Sequence, residues 1–274
     1  FGRLSDISGK RLPFVRWGYF LSGLSKPMMA IFTYPVWIFT ARTFDRFGKG
    51  LRTGARDAIL SAESTPENKG KVFGFHRGMD TFGAVLGPVL ALVFLHFYPN
   101  QYGTLFFIAF APGMFSVLLT FFLKEKNPIN APFAAYSSKP SFKALTQYWK
   151  TSPFPYRKLV FGLLLFSLFN SSDFFLLLKV KESGFADSTV IKTYIFYNLI
   201  YALFSYPIGV LADRIGVKAI FISGLVLFAT TYFCFAMNSN EILFYVLFFI
   251  YGLYAASTEG ISKAWISNLV DKKE

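Results

Sequence analysis

Seven stretches of the chain stay apolar for about the length that a helix needs to cross a lipid bilayer. They lie near residues 13–33, 82–98, 104–123, 159–178, 193–211, 219–237 and 242–258. The hydrocarbon core of a bilayer takes about 20 mostly apolar residues in a helix. A chain with this many such runs is expected to be an all-α integral membrane protein. Composition agrees: of 274 residues, 54% are hydrophobic, 20% are aromatic and only 16% are charged, against roughly 25% charged in a soluble domain. The 36 phenylalanines exceed what one soluble core of this size can hide, so lipid is the expected solvent for that surface.

The placement of charge sets the topology. The formal net charge is +13, and the basic residues follow particular loops rather than one soluble face. That distribution argues against nucleic acid as a partner. Segments 2–11 and 209–218 are basic. Linker 124–158 carries Lys124, Lys126, Lys139, Lys143, Lys150, Arg157 and Lys158 against Glu125 alone. The turns at 33–35, 97–103 and 238–241 carry no Lys or Arg. Basic loops stay on the cytoplasmic side. All three basic segments reach that side only if 35–62 also crosses, which makes an eighth span out of a segment too polar to be chosen by hydropathy. The prolines of the linker, together with Ser137 and Ser138, predict an irregular cytoplasmic connection between two membrane domains. A short amphipathic helix around Phe142 to Trp149 is expected on the membrane surface.

Segment 35–62 poses the main chemical question. At about 100° per residue, Arg42, Asp45, Arg46, Lys49, Arg52 and Arg56 fall within an arc of about 120°, with Asp57 just outside. Each ion at mid-bilayer costs about 2.5–3.5 kcal/mol on insertion scales. The stripe is therefore expected to face a bundle interior, a water-filled path or partner carboxylates. Arg42, Asp45, Arg46 and Lys49 are candidates for lining a path for an anionic group. Arg52, Arg56 and Asp57 are expected to pair with loop carboxylates such as Asp6. Gly50, Gly54 and Ala58 form a small-residue row on which a second helix could close.

Further candidates sit in other spans. His76, Arg77 and Asp80 share a helical face by their spacing, and either a proton relay or a structural cluster would use it. Asn170, Ser171, Ser172 and Asp173 interrupt an apolar run. Asp173 is expected near the middle of its span with no basic residue within a turn, which marks it as a proton or substrate contact. Glu259 and Lys263 are an i,i+4 pair, either self-neutralising or part of the path. Gly83, Gly87 and Pro88 are expected to shape packing and a helix bend. Tyr194, Tyr197, Tyr201, Tyr245, Tyr251 and Tyr254 are read chiefly as core or interface residues. Cys234 is alone, His76 and His96 are too few for a metal site, and no motif of a hydrolase or metalloenzyme occurs. The chain is expected to be no enzyme and to need no cofactor beyond an ion gradient.

The two basic loops repeat one another. Gly2, Leu4, Asp6 and Gly9 find counterparts in Gly209, Leu211, Asp213 and Gly216, each 207 residues on. Arg11 and Lys10 answer to the basic Lys218. Gly54, Ala58 and Ser61 match Gly260, Ala264 and Ser267, each 206 residues on. Internal symmetry of this period among helical spans points to a transporter of two related bundles. The loop pattern resembles the signature loop of the major facilitator superfamily, which joins its second and third helices and recurs between the eighth and ninth. FGAVLGP (82–88) is similar to the glycine–proline motif of its fifth helix, and TPENKGKVFG (65–74) to the loop before it. Ile7 stands where the family's first loop carries an Arg, whereas Arg214 keeps it in the second.

That resemblance implies two pseudo-symmetric helical bundles. Residues 1–123 would belong to the first, 124–158 to the linker and 159–274 to the second. The chain would be a fragment of about eight helices out of twelve. Gly2, Asp6, Gly9, Arg11, Gly209, Asp213, Arg214 and Gly216 would form gating loops, in which the aspartate caps a helix end and pairs with an Arg. The implied function is proton-coupled secondary transport of a small solute by alternating access. The implied setting is a monomer in the inner membrane of a bacterium or archaeon, with lipid and solute as partners. The cations of 35–62 lean towards an organic anion or a phosphorylated compound. Export of cationic drugs, and a non-transporting receptor or scaffold, are the alternatives.

Overall fold

A computed structural model describes residues 4–5, 8–124, 142–238 and 240–270. Gly2, Asp6, much of the linker and the terminal 271–274 lie outside the described residues. Helices dominate: α1 (Leu12–Ile31), α2 (Pro35–Ala62), α3 (Lys69–Phe97), α4 (Tyr102–Phe121), α5 (Phe142–Thr151), α6 (Phe154–Phe169), α7 (Asp173–Glu182), α8 (Asp187–Ile215), α9 (Val217–Met237) and α10 (Glu241–Leu269). Among the described residues no strand occurs. Prolines open α1, α2 and α6 within their first two positions, where a missing N–H costs nothing. Asn240 caps α10, its side-chain oxygen accepting from the N–H of Ile242 at 2.9 Å. Pro27, Pro88, Pro112 and Pro207 lie inside helices, as membrane helices tolerate.

Most of these helices are apolar far beyond what the protein itself covers. Among the described residues six spans are long and apolar enough to cross a membrane: 69–97, 102–121, 154–182, 187–215, 217–237 and 241–269. Only 6% of the apolar window of α4 is buried, and 11% of that in 154–182, against 56% in α10. Leaving such side chains in water would forgo about 25 cal/mol for each Å² of apolar surface. The chain is a multi-pass membrane protein. Helices α1 and α2, of 20 and 28 residues, fall outside the six because of their polar side chains.

The helices correct several expected boundaries. Segment 35–62 is one uninterrupted helix, as expected. The span expected at 82–98 starts at Lys69 instead, so the His76–Asp80 stretch is well inside α3. The span expected at 242–258 runs on to Leu269 and carries Glu259 and Lys263 with it. The span expected at 159–178 is broken: α6 stops at Phe169, Asn170 is extended, and α7 starts at Asp173. The end of the linker is helical, as α5 and the start of α6.

The chain divides into two compact units, residues 1–63 with 91–141, and residues 64–90 with 142–274. In the first, α2 packs on α1 along Ala41, Gly48 and Ala55, seven residues apart. A Cβ on Gly48 would stand 2.6 Å from the Gly18 carbonyl oxygen, and one on Gly18 would stand 2.7 Å from that of Gly48. Of the expected row at Gly50, Gly54 and Ala58, Gly50 makes no close approach. A Cβ on Gly50 would meet nothing within 4 Å, because 50 and 48 are about 160° apart on the helix. In the second unit, α8, α9 and α10 enclose an aromatic core that includes Tyr201, Phe235, Phe244 and Phe248. Tyr197 and Tyr251 lie there with ring centroids 5.1 Å apart.

Candidate functional site

Charged side chains inside the helices fall into two groups. On α2, the arc of cations lies beside the packed seam. Part of it is neutralised within the first unit. Asp45 takes Lys26 Nζ of α1 at 3.5 Å. Arg56 pairs with its neighbour Asp57 at 3.1 Å, and the Arg52 guanidinium lies over the Tyr19 ring at 4.2 Å. Pairing of Arg56 thus occurs on α2 itself, and Asp6, the carboxylate expected from the loop, lies outside the described residues. Arg42, Arg46 and Lys49 are exposed on the surface of the unit. They make no hydrogen bond or ion pair among the described residues. They remain three cations on successive turns of a helix whose ends are about 42 Å apart.

In the second unit the opposite holds. Arg77 on α3 reaches the Asp80 carboxylate at 3.3 Å, the Glu259 carboxylate of α10 and the Tyr201 hydroxyl of α8. Its guanidinium also lies 5.3 Å from the centre of the Tyr201 ring. Three helices thus converge on one cation. The Arg77–Asp80 pairing is legible in i,i+3 spacing, and Asp80 is fixed by it. Glu259 meets a partner on another helix, which spacing within α10 could not reveal. Tyr201, only 2% exposed, was expected as core; its hydroxyl is a bond partner of the arginine. His76 is half-buried one residue before Arg77, and Lys263 lies one turn after Glu259 on α10.

A ladder of small residues lets α3 approach that closely. A Cβ on Gly74 would stand 2.5 Å from the Ser205 carbonyl oxygen, and one on Gly78 would stand 3.0 Å from that of Ala202. Gly70 and Gly209 meet backbone to backbone in the same seam. The four-residue spacing Gly70, Gly74, Gly78 was the available signal for this seam. A Cβ on Gly83 or Gly87, in the motif singled out from the sequence, would meet nothing within 4 Å. Among the described residues the motif makes no close approach.

The second basic loop has a defined task. The Asp213 carboxylate accepts from the backbone N–H of Gly70 and of Lys71, both at 2.7 Å. These are orphan donors of the first turn of α3, and a carboxylate there also meets the positive end of the helix dipole. Lys69 Nζ donates to the Ser267 carbonyl near the end of α10 at 2.5 Å. Gly216 closes α8 at φ 102°, and Gly9 in the first loop has φ 65°. Both repeat-related glycines thus occupy left-handed backbone that favours glycine. Arg11 donates to the Ala58 carbonyl at 3.5 Å, while Arg214 is exposed at the end of α8.

Asp173 does not sit in mid-helix. It occupies the first turn of α7, behind the cap that Ser172 provides to the Phe174 N–H at 3.3 Å. Ser171 is held to Tyr232 of α9, oxygen to oxygen, at 2.7 Å. Asp173 makes no ion pair among the described residues. No group of three or more His, Cys, Asp or Glu side chains that could hold a metal occurs among them either.

Comparison with known proteins gives a consistent picture. The family model described as Major Facilitator Superfamily matches residues 1–197 and 181–274. An uncharacterized MFS-type transporter of Methanocaldococcus jannaschii is 32% identical over 275 aligned residues, which cover 98% of this chain and 66% of that protein. An uncharacterized protein of Mycobacterium tuberculosis is 27% identical over 128 residues, 46% of this chain and 31% of that one. The chain spans just under two-thirds of the length of its archaeal relative.

Proposed function

The chain belongs to the Major Facilitator Superfamily, and from that premise we propose that the protein carries a small anionic solute across a membrane by alternating access. Family membership and the name of the archaeal relative support transport rather than catalysis. One observation carries the anionic reading: among the described residues Arg42, Arg46 and Lys49 stand unpaired on one face of α2. Cations in the middle of a membrane helix must face water or an anion. Where a carboxylate is within reach, as for Lys26 and Arg77, this protein uses it. The unpaired three therefore line the solute path.

Proton coupling fits the carboxylates of the second unit. Glu259, Asp80 and Asp173, with His76, are the candidates for taking up the coupling proton, and Asn170 lies at the helix break beside Asp173. The gating loops pass through Asp213 and its contact with the start of α3. Its setting is the inner membrane of a prokaryote, with the 124–158 linker on the cytoplasmic side. One observation favours a second reading, exchange of a cationic drug for protons: Asp173 has no basic partner among the described residues.

The test uses the complete protein purified in detergent, screened for thermal stabilisation by organic anions, phosphorylated compounds and lipophilic cations. Binding to the native state at a hundred times Kd stabilises by about 2.7 kcal/mol. Stabilisation by an anion that is lost in Arg46→Gln is the expected result. Stabilisation by cations only, unchanged in Arg46→Gln, would contradict the reading and favour drug exchange.

A further inference from the structure

Resting on the anionic reading above, we propose that the α2 cations select a dianionic phosphate monoester over a monocarboxylate. The argument is one of charge and shape. Arg42, Arg46 and Lys49 fall within an arc of about 60° and about 10 Å along the axis. Their neighbours do not cancel them, because Asp45 is taken by Lys26 at 3.5 Å and Asp57 by Arg56 at 3.1 Å. Nor does the local hydroxyl compete as a ligand: Thr43 donates to the Phe39 carbonyl of its own helix at 2.8 Å. Among the described residues the face therefore presents three positive charges that no carboxylate pairs.

A monocarboxylate would leave two of those charges unmatched where water is scarce. A phosphoryl dianion leaves one. It also has three terminal oxygens, enough to take both guanidinium forks at once. Arg42 and Arg46 are one helical turn apart, roughly 6 Å between Cβ atoms. Two forks at that separation can grip opposite edges of one phosphoryl group, each through parallel N–H donors. A carboxylate has two oxygens in one plane and satisfies one fork. Lys49, a turn further on, adds a point charge without a preferred plane. Arg46 and Lys49 lie in the middle third of α2, and Arg42 stands about two turns in from its start.

The complete protein in detergent decides this with phenyl phosphate and benzoate as matched probes, compared by thermal shift. The expected result at about pH 8 is a shift with phenyl phosphate and a benzoate response at least about tenfold weaker in apparent affinity. Acidification to about pH 5 leaves the ester a monoanion, since its second pKa is about 6, and should close that gap. Arg46→Lys keeps the charge but not the fork, and should erase most of the preference at pH about 8. Equal responses to both probes, or a preference unchanged at low pH, would overturn phosphoryl selection while leaving the anionic reading standing. A response to neither probe, nor to any other anion of the panel, would remove the anionic reading and this proposal together. Phosphatidic acid in the micelle that matches the phenyl phosphate shift would assign the face to a lipid headgroup and overturn selection of a solute.

Discussion

Arg77 on α3 reaches two carboxylates and a phenol, whereas Arg42, Arg46 and Lys49 on α2 reach none among the described residues. Both groups lie well inside helices of a membrane protein, and both carry one requirement: a cation there needs a partner or water. The protein meets it in two ways. Around Arg77 it brings α8 and α10 against α3 through a glycine ladder, so the charge is matched by groups of the fold. On α2 the seam to α1 runs through Ala41, Gly48 and Ala55, and the cations are left beside it. A matched charge holds helices together; an unmatched one is available to a ligand.

Breaking the matched side should have the largest effect on stability. Arg77→Ala leaves Glu259 and Asp80 facing one another's charge and the Tyr201 hydroxyl without its arginine. Removing one partner of a buried pair costs about 3–5 kcal/mol. Glu259 and Asp80 are 48% and 44% exposed, so solvent screening lowers the expected loss to about 2 kcal/mol. Thermal unfolding of the complete protein in detergent would show it, and a variant as stable as wild type would make the convergence on Arg77 incidental. The glycine seam comes next. Gly74→Ala pushes a methyl against the Ser205 carbonyl, and overpacking of this kind costs about 1–3 kcal/mol. Gly83→Ala on the same helix meets open space and should stay within about 0.5 kcal/mol of wild type.

Smaller changes sharpen the contrast. Asp213→Asn removes the charge from the start of α3 but leaves an acceptor, with an expected loss of about 0.5–1 kcal/mol. That loss should shrink at high salt, and its persistence there would mean that geometry rather than charge matters at the cap. On the unmatched side, Arg42→Gln, Arg46→Gln and Lys49→Gln should each leave the unliganded fold within about 0.5 kcal/mol of wild type. Removing one of two like charges a turn apart even offers a slight gain. The same substitutions should abolish stabilisation by an anion. Loss of folding in Arg46→Gln would place that side chain in a structural pairing and dissolve the contrast.

Much of the architecture was legible from residue pattern alone. Period and charge placement located 35–62 as a helix, and Gly9 and Gly216, matched by the repeat, both adopt positive φ. The Arg77–Asp80 pair followed from i,i+3 spacing. What was not legible involves partners on different helices. Glu259 could be paired on paper only with Lys263, because one helix offers only its own neighbours, and the approach of α3 supplies Arg77 instead. The break at Asn170 was hidden for a related reason. Serine and asparagine in an apolar run read as polar insertions, and only the capping of α7 by Ser172 shows that they end one helix and start another. That moves Asp173 from an orphan in mid-span to a first-turn residue favoured by the helix dipole. The close seams were misplaced because several small-residue rows compete on the same helix. Only packing tells the row at Gly48 from the one at Gly50, and the row at Gly74 from the one at Gly83.

The most direct test of the contrast is the reactivity of Gly50→Cys, one turn beyond Arg46, where a Cβ meets open space and all three cations are kept, in the complete protein on an otherwise cysteine-free background, with a water-soluble anionic thiol reagent, in the presence and absence of phenyl phosphate. A residue lining an anion path should be labelled readily and protected by the ester. A thiol that stays inert, or that reacts equally with and without phenyl phosphate, would contradict the assignment of the unpaired α2 cations to a solute path.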